Sequence, residues 1–266
     1  LDDASRELGL DRVEIRRRNL IAPTAMPYRN PFGATYDCGE FARGLEMALQ
    51  GIDYAGFAAR RAEAAARGRL RGIGIANAIE RAASPAQPEF AEIRFNPSGS
   101  AMVLVGTKAQ GQGHETLYKQ IAHERLGIDP SELQFIEGDT DRVAFGMGTN
   151  GSRSTVVGGT AVWNAAGRII EKGKKIAGHL LEASADDIEF EAGKFTVAGT
   201  DRSLTLKEVA RAAFVPARLP PGFEPGFYET ATFAPPSDTW PNGSHVCEVE
   251  IVPGTGQVQV VGYVVA

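Results

Sequence analysis

Two glycine-rich stretches constrain this chain most: Gly106-Thr-Lys-Ala-Gln-Gly-Gln-Gly-His114, and Gly146-Met-Gly-Thr-Asn-Gly-Ser-Arg-Ser-Thr155 followed by Val-Val-Gly-Gly-Thr160. Glycine at this density weakens helix and strand interiors alike, so both stretches read as loops. Each is followed by a helical pattern. In the first, Gly111 and Gly113 let the backbone turn sharply and come close to a ligand. The helix expected from His114 points its free N–H groups and positive dipole end into that loop, a ready place for a phosphate or another anion. Gln110, Gln112 and His114 add side chains able to read a polar heterocycle. In the second, hydroxyls face where phosphate oxygens would lie, and Arg153 is placed to make a bidentate fork on one of them. Two anion cradles suit a ligand with more than one anionic group, such as a dinucleotide-like cofactor. Glycine-rich turns before helices are common, and each loop taken alone reads first as architecture. Neither is a GxxxxGK[ST] loop. Neither fits GxGxxG, because Thr116 stands where the third glycine belongs.

The rest of the chain is punctuated clearly. Residues 2–20 read as two short amphipathic helices, with Gly9 ending the first and Asp11 capping the second, Glu14 completing a capping box. Residues 21–36 hold Pro23, Pro27 and Pro31 and read as an extended connector. Residues 37–67 are alanine-rich and helical, with Asp37 as cap and Gly68 as stop. Residues 70–80, 89–96 and 100–107 read as strands, the last two joined by an Asn-Pro-Ser-Gly turn. A helix over 114–126, a strand over 133–137, a long helix from 154 to 183, a hairpin over 187–198 and a helix over 204–214 follow. Residues 215–226 are irregular, and 227–266 read as strand, with Gly254-Thr255-Gly256 as a hairpin turn. A weak repeat pairs helix, Asp129-Pro-Ser-Glu and the strand LQFIEG with helix, Asp186-Asp187 and the strand IEFEAG. These patterns predict an α+β fold: mixed sheets with helices packed on them, in repeated helix-strand units. They divide the chain into a helical connecting region, 1–68, and an α+β domain, 69–266, whose C-terminal part is missing, since both ends look cut.

Composition narrows the function classes. The net charge is −5 and hydrophobic residues make up 43%. No basic tract speaks for nucleic acid, and Arg16-Arg17-Arg18 reads as a solvated helix face or docking patch. Cys38 and Cys247 form no CxxC pair, which fits a reducing, cytoplasmic setting, and no apolar run is long enough to span a bilayer. The four histidines, His114, His123, His179 and His245, lack zinc spacing. Glu137, Asp139 and Asp141 alternate as in a hard-cation loop, but without the calcium-loop pattern they read as a solvated loop. Ser152 and Ser154 lack the GxSxG elbow of a serine hydrolase.

The ordered set GQGHET (111–116), LGID (126–129), GDTD (138–141), FGMGTNGSRST (145–155) and VGGTAV (157–162) resembles the large subunit of the molybdenum hydroxylases. These are the xanthine dehydrogenase, aldehyde oxidase and carbon monoxide dehydrogenase family. The stretches LDDASRELGLDRVEIRRRNLI (1–21), YDCGEF (36–41) and 245–266 resemble the same family in place and order, so the likeness runs from end to end. It implies a molybdopterin cofactor carrying molybdenum, expected as the cytosine dinucleotide form, embraced by both loops. The residues it implies are Gln110, Gly111, Gln112, Gly113 and His114 in the first loop, and Gly151, Ser152, Arg153, Ser154 and Thr155 in the second. Metal ligation would come from the cofactor. The reaction implied is oxidative hydroxylation of carbon monoxide, an aldehyde or an N-heterocycle, with electrons leaving through iron–sulfur and FAD groups on partner subunits or domains. The family's glutamate base lies in a GxGE-like segment beyond Ala266, and its other cofactor loop and substrate-pocket loop lie before Leu1. No catalytic residue is therefore assigned, and this chain alone is expected to be inactive. Two other readings stay open: a non-catalytic scaffold for iron–sulfur and flavin subunits, and a general nucleotide-binding module.

Overall fold

The structure, a computed structural model, describes residues 1–83 and 86–266. Its helices are α1 (Asp2–Leu8), α2 (Arg12–Asn19), α3 (Phe41–Gly51), α4 (Phe57–Ala66), α5 (His114–Leu126), α6 (Gly159–Leu180) and α7 (Leu206–Ala212). The strands are β1 (Tyr28–Arg29), β2 (Thr35–Tyr36), β3 (Leu70–Ile79), β4 (Glu89–Phe95), β5 (Ala101–Val105), β6 (Leu133–Glu137), β7 (Ile188–Glu191), β8 (Lys194–Val197), β9 (Ser203–Thr205), β10 (Tyr228–Phe233), β11 (Asn242–Ile251) and β12 (Val258–Val265). The fold is α+β with mixed sheets, as the pattern predicts. Among the described residues no helix is long and apolar enough to cross a membrane.

The expected division at residue 68 is corrected by the pairing of β3. Along its whole length, from Leu70 to Ile79, β3 is antiparallel to β11. The N-terminal helices and the C-terminal strands therefore form one compact unit, Leu1–Arg81 with Thr239–Ala266, and Ala82–Asp238 form the other. In the first unit the sheet order is β12-β11-β3. Val13, Leu45, Ala48 and Leu49 from α2 and α3 bury against Ile73, Ile75 and Val246 of the sheet. That sheet face is what a short helical segment needs, because it cannot bury its own apolar stripe.

Several local expectations change here. The helix expected over 37–67 is two helices, with Asp53 in the left-handed region between them. Glu40 rather than Asp37 precedes α3, and it makes no side-chain cap bond. Asp11 does cap α2, accepting from the N–H groups of Val13 and Glu14. Glu14 closes no capping box, because its carboxylate accepts from Arg18 Nε at 2.7 Å. Arg16 is no solvated residue: it is 7% exposed and donates to the Ile75 carbonyl at 2.8 Å and to Asp2 at 2.7 Å. Arg12 donates to the Ile73 carbonyl at 2.6 Å. The two guanidinium groups thus cover carbonyls on the otherwise unpaired edge of β3.

The second unit carries the larger core. Its main sheet runs β10-β4-β5-β6, with β5 and β6 parallel and the other pairs antiparallel. A parallel pair needs a crossover, and α5 supplies it. Helix α6 buries Ala161, Val162, Ala165, Ala166, Ile169, Ile170, Ile176 and Ala177 in the core that this sheet also lines. The stripe recurs at three and four residues, and its alanines let the helix lie close to its neighbours. At Gly173 a Cβ would strike the ring of Phe195, so this turn of the helix has no room for a side chain. The helix-strand repeat is local only. Both copies share a short 3-10 turn, Pro130–Glu132 and Ala185–Asp187. Yet β6 joins β5 in parallel, whereas β7 opens an antiparallel hairpin in a separate sheet, β7-β8-β9. The last stretch is strand as expected, with β11 and β12 joined across the Gly254-Thr255-Gly256 turn, but β10 pairs with β4 in this unit and the hairpin belongs to the other.

Candidate cofactor site

The parallel pairing of β5 and β6 sets Val105 opposite Glu137. Both strands thus end at the same side, where the first loop leaves β5 and where α5 begins. Carboxyl ends of parallel strands beside a helix N-terminus are a favoured place for ligands. Gly111 and Gly113 take φ of +98° and +78°, a backbone that side chains resist. The turn delivers His114 to the first position of α5.

His114 is 2% exposed. Its Nδ1 lies 2.9 Å from Glu137 Oε2. An ionised carboxylate only accepts, so Nδ1 carries the proton. The same Oε2 is 3.3 Å from Thr107 Oγ1, which lies 3.1 Å from the Tyr118 hydroxyl, which donates to the Ser154 carbonyl at 3.0 Å. A chain of polar contacts thus runs from the start of α5 to the second loop. Burial pushes the Tyr118 hydroxyl up to about 12, so it stays a donor throughout the working pH range. Gly158 makes room for it: a Cβ there would strike the Tyr118 oxygen.

The two loops cross. A Cβ on Gly106 would overlap Gly146 and Glu89, and a Cβ on Gly146 would overlap the Gly106 backbone, so only glycine at both positions allows the crossing. Lys108 N–H donates to Thr149 Oγ1 at 3.1 Å, and Thr149 Oγ1 is 3.1 Å from Ser154 Oγ. The expected helix start at 154 is a π-helical turn, Ser154–Gly158, that runs into α6. Such wide turns gather at functional sites. Ser152 holds φ of +51°, an uncommon conformation for a residue with a side chain.

Between the loops lies a cleft of about 420 Å³. Seven of the ten residues expected from the sequence line it: Gln110, Gln112, His114, Gly151, Ser152, Ser154 and Thr155. Gly111 and Gly113 shape the first loop without lining the cleft. Arg153 does neither, and the expected phosphate fork is corrected. Its side chain is 1% exposed and pairs with the fully buried Glu89. It also donates to the carbonyls of Gly148 at 2.6 Å, Gln87 at 2.8 Å and Pro88 at 2.9 Å. Its role is to pin the second loop to the start of β4. Sequence reasoning missed Glu89, Thr107 and Tyr118, and set Glu137 aside as solvated. The one signal available was the final position of Glu137 in a strand-like run.

No acidic side chain lines the cleft, the helix N-terminus beside it is electropositive, and the buried His114 Nε2 has no partner. The first two features fit an anionic ligand, and the free Nε2 fits a hydrogen-bond donor on it.

Comparison with known proteins identifies the family. A family described as "Molybdopterin cofactor-binding domain" matches residues 47–266. The carbon monoxide dehydrogenase large chain of Hydrogenophaga pseudoflava is 38% identical over 277 aligned positions, covering 98% of this chain and 34% of that protein. Among solved structures, quinoline 2-oxidoreductase from Pseudomonas putida 86 superposes with a TM-score of 0.85 at 34% identity, covering 99% of this chain and 35% of that one. The reconstituted carbon monoxide dehydrogenase of Oligotropha carboxidovorans gives 0.84 at 34% identity and the same coverage. The chain thus spans about a third of the length of these relatives.

Proposed function

This chain belongs to the molybdopterin cofactor-binding domain family of the molybdenum hydroxylases, and from that premise we propose that the cleft between its two glycine-rich loops holds the dinucleotide part of a molybdopterin cytosine dinucleotide cofactor. The observation that carries the reading is the carboxylate-free cleft at the N-terminus of α5 with the unpartnered His114 Nε2 on its wall. Gln110, Gln112, His114, Asn150, Ser152 and Thr155 would supply the hydrogen bonds, and Gly111, Gly113 and Gly151 the turns. Arg153 acts from behind, through the shape of the second loop. When bound, the cofactor supplies oxidative hydroxylation of a small carbon substrate. This chain's residues bind and orient it and, in the Glu137-to-Ser154 chain, hold the two loops at a set separation.

The activity of the whole protein is that of a molybdenum oxidoreductase acting on carbon monoxide, an aldehyde or an N-heterocycle. Relatives named for carbon monoxide and for quinoline match this chain equally well in structure, so the proposal stays at that class. Iron–sulfur and FAD groups on partner subunits or domains would take the electrons. A cytoplasmic setting accords with two unpaired cysteines, Cys38 and Cys247. Residues 1–266 alone are expected to show no turnover; substrate-dependent dye reduction by the isolated chain would refute that.

The decisive measurement is molybdenum content plus acid-released CMP, on the chain alone and co-expressed with its chromosomal neighbours. Molybdenum and CMP in the co-expressed sample, with loss of CMP in Gln112→Ala, are expected. Neither in either sample would leave the loops as architecture and favour a scaffold.

A further inference from the structure

His114, on the wall of the cleft, is paired through Nδ1 with Glu137 behind it. Two observations bear on it. First, His114 lines the cleft, is 2% exposed, and has a buried Nε2 without a partner. A buried polar nitrogen left unpaired is costly, so this atom is complete only with something in the cleft. Second, Nδ1 is held at 2.9 Å by a carboxylate whose side chain is itself only 13% exposed. That contact fixes both the ring's orientation and the site of its proton.

We propose that Glu137 is a positioning residue, holding the His114 imidazole with its proton on Nδ1 so that Nε2 accepts a hydrogen bond from a hydroxyl or amine of the cofactor's dinucleotide part. The proposal rests on the cofactor reading above and adds a residue and a proton to it. The arrangement parallels metal sites, where a carboxylate on one ring nitrogen sets what the other can do. Here the partner of the free nitrogen is a hydrogen-bond donor of the cofactor. Glu137 reaches no ligand directly: it does not line the cleft. Its other contact, to Thr107 Oγ1, belongs to the chain that ends at Ser154. A purely structural role would therefore run through Thr107 and Tyr118, and a positioning role through His114. The two are separable.

The test is a double-mutant cycle on the assembled molybdenum enzyme that carries this chain. The readout is the rate at which protein-bound CMP is lost on prolonged dialysis, with thermal unfolding as a control for folding. Glu137→Gln and His114→Gln are each expected to speed the loss on the order of tenfold or more, the effect of removing one charge-assisted hydrogen bond. The double variant is expected to lose CMP no faster than His114→Gln. Glu137→Asp, which restores a carboxylate one methylene shorter, is expected to recover part of the retention. Additive effects, or unchanged loss in Glu137→Gln, would overturn the positioning role while leaving the cofactor reading intact. A wild-type enzyme that contains no acid-releasable CMP before dialysis would overturn the cofactor reading and this proposal with it.

Discussion

The two units handle buried charge differently. In residues 1–81 and 239–266, charges lie at the seams between helices and sheet, and their partners are close at hand. Glu248 is 2% exposed and accepts from Arg60 Nη2 at 3.0 Å and from Arg71 Nε at 2.6 Å. Arg71 also reaches Glu250 at 2.8 Å, and Arg67 reaches the same carboxylate at 2.7 Å. In residues 82–238 the buried charges stand at loop ends instead. Among the described residues, the buried side-chain atoms with no partner are His114 Nε2, Arg125 Nε and Arg153 Nε, all in this second unit. Charge in the first unit closes a structure. In the second it holds loops open around a cleft and leaves one histidine edge unmet. A region whose buried charges are paired internally is built for stability; one that leaves a buried histidine acceptor unmet on a cleft wall is built to receive a donor.

The chain's two tryptophans make the contrast measurable, because Trp240 lies in the first unit and Trp163 in the second. Trp163→Phe and Trp240→Phe backgrounds let fluorescence follow each unit in denaturant. The largest effect is expected from Arg153→Met, which leaves Glu89 buried without its cation and should cost about 3–5 kcal/mol. The loss should appear in the transition that Trp163 reports. A change below about 1 kcal/mol would show that Glu89 finds other partners and that the pinning role is wrong.

Next comes an acid effect in the first unit. Burial pushes the Glu248 carboxyl up, but the hydrogen bonds from Arg60 and Arg71 outweigh it and hold the group below its ordinary value. A carboxyl depressed in the folded state contributes its full stability above the unfolded value, and loses it as pH falls through the folded one. The Trp240 transition should therefore weaken in acid below about pH 4.5, and Glu248→Gln should flatten that dependence while lowering stability at neutral pH by about 1–3 kcal/mol. Equal acid slopes in the two proteins would remove Glu248 from the account.

Smaller still is Thr205→Ala. Thr205 and Glu208 form a reciprocal capping box at the start of α7, so about 1 kcal/mol is expected from the Trp163 transition. The smallest is Arg18→Ala. Its ion pair with Glu14 is well exposed, at 60% and 40%, and a shift within about 0.5 kcal/mol is expected on the Trp240 transition. If Arg18→Ala cost more than Thr205→Ala, the ranking of surface pairs below caps would fail here.

Much of this was readable in the sequence, for local reasons. Helix α5 and strand β6 begin and end where glycine and proline punctuation put them, and Asp11 caps α2 as its spacing requires. Seven cleft-lining residues were reachable because they sit on the loops that the glycines mark. Residue-level roles were harder wherever the partner lay far along the chain. Arg153 looked like a phosphate ligand because arginine in a glycine-rich loop has the right chemistry for one. Its actual partner, Glu89, is 64 residues away and comes beside it only through the register of β4. Arg16 looked solvated because no local pattern marks the edge of β3 as its acceptor.

By itself, then, the sequence determined the α+β class, the two loops, the helix start behind the first of them, and the family. Each rests on interactions within a few residues or on an ordered set of motifs. Only the tertiary structure decided that the N-terminal helices pack on a sheet that β3 forms with the last strands, that Arg153 faces inward, and that Glu137 holds His114. Those depend on strand pairing across the chain. Which carboxylate ends a strand beside which loop follows from register, and register is settled by how the whole core packs.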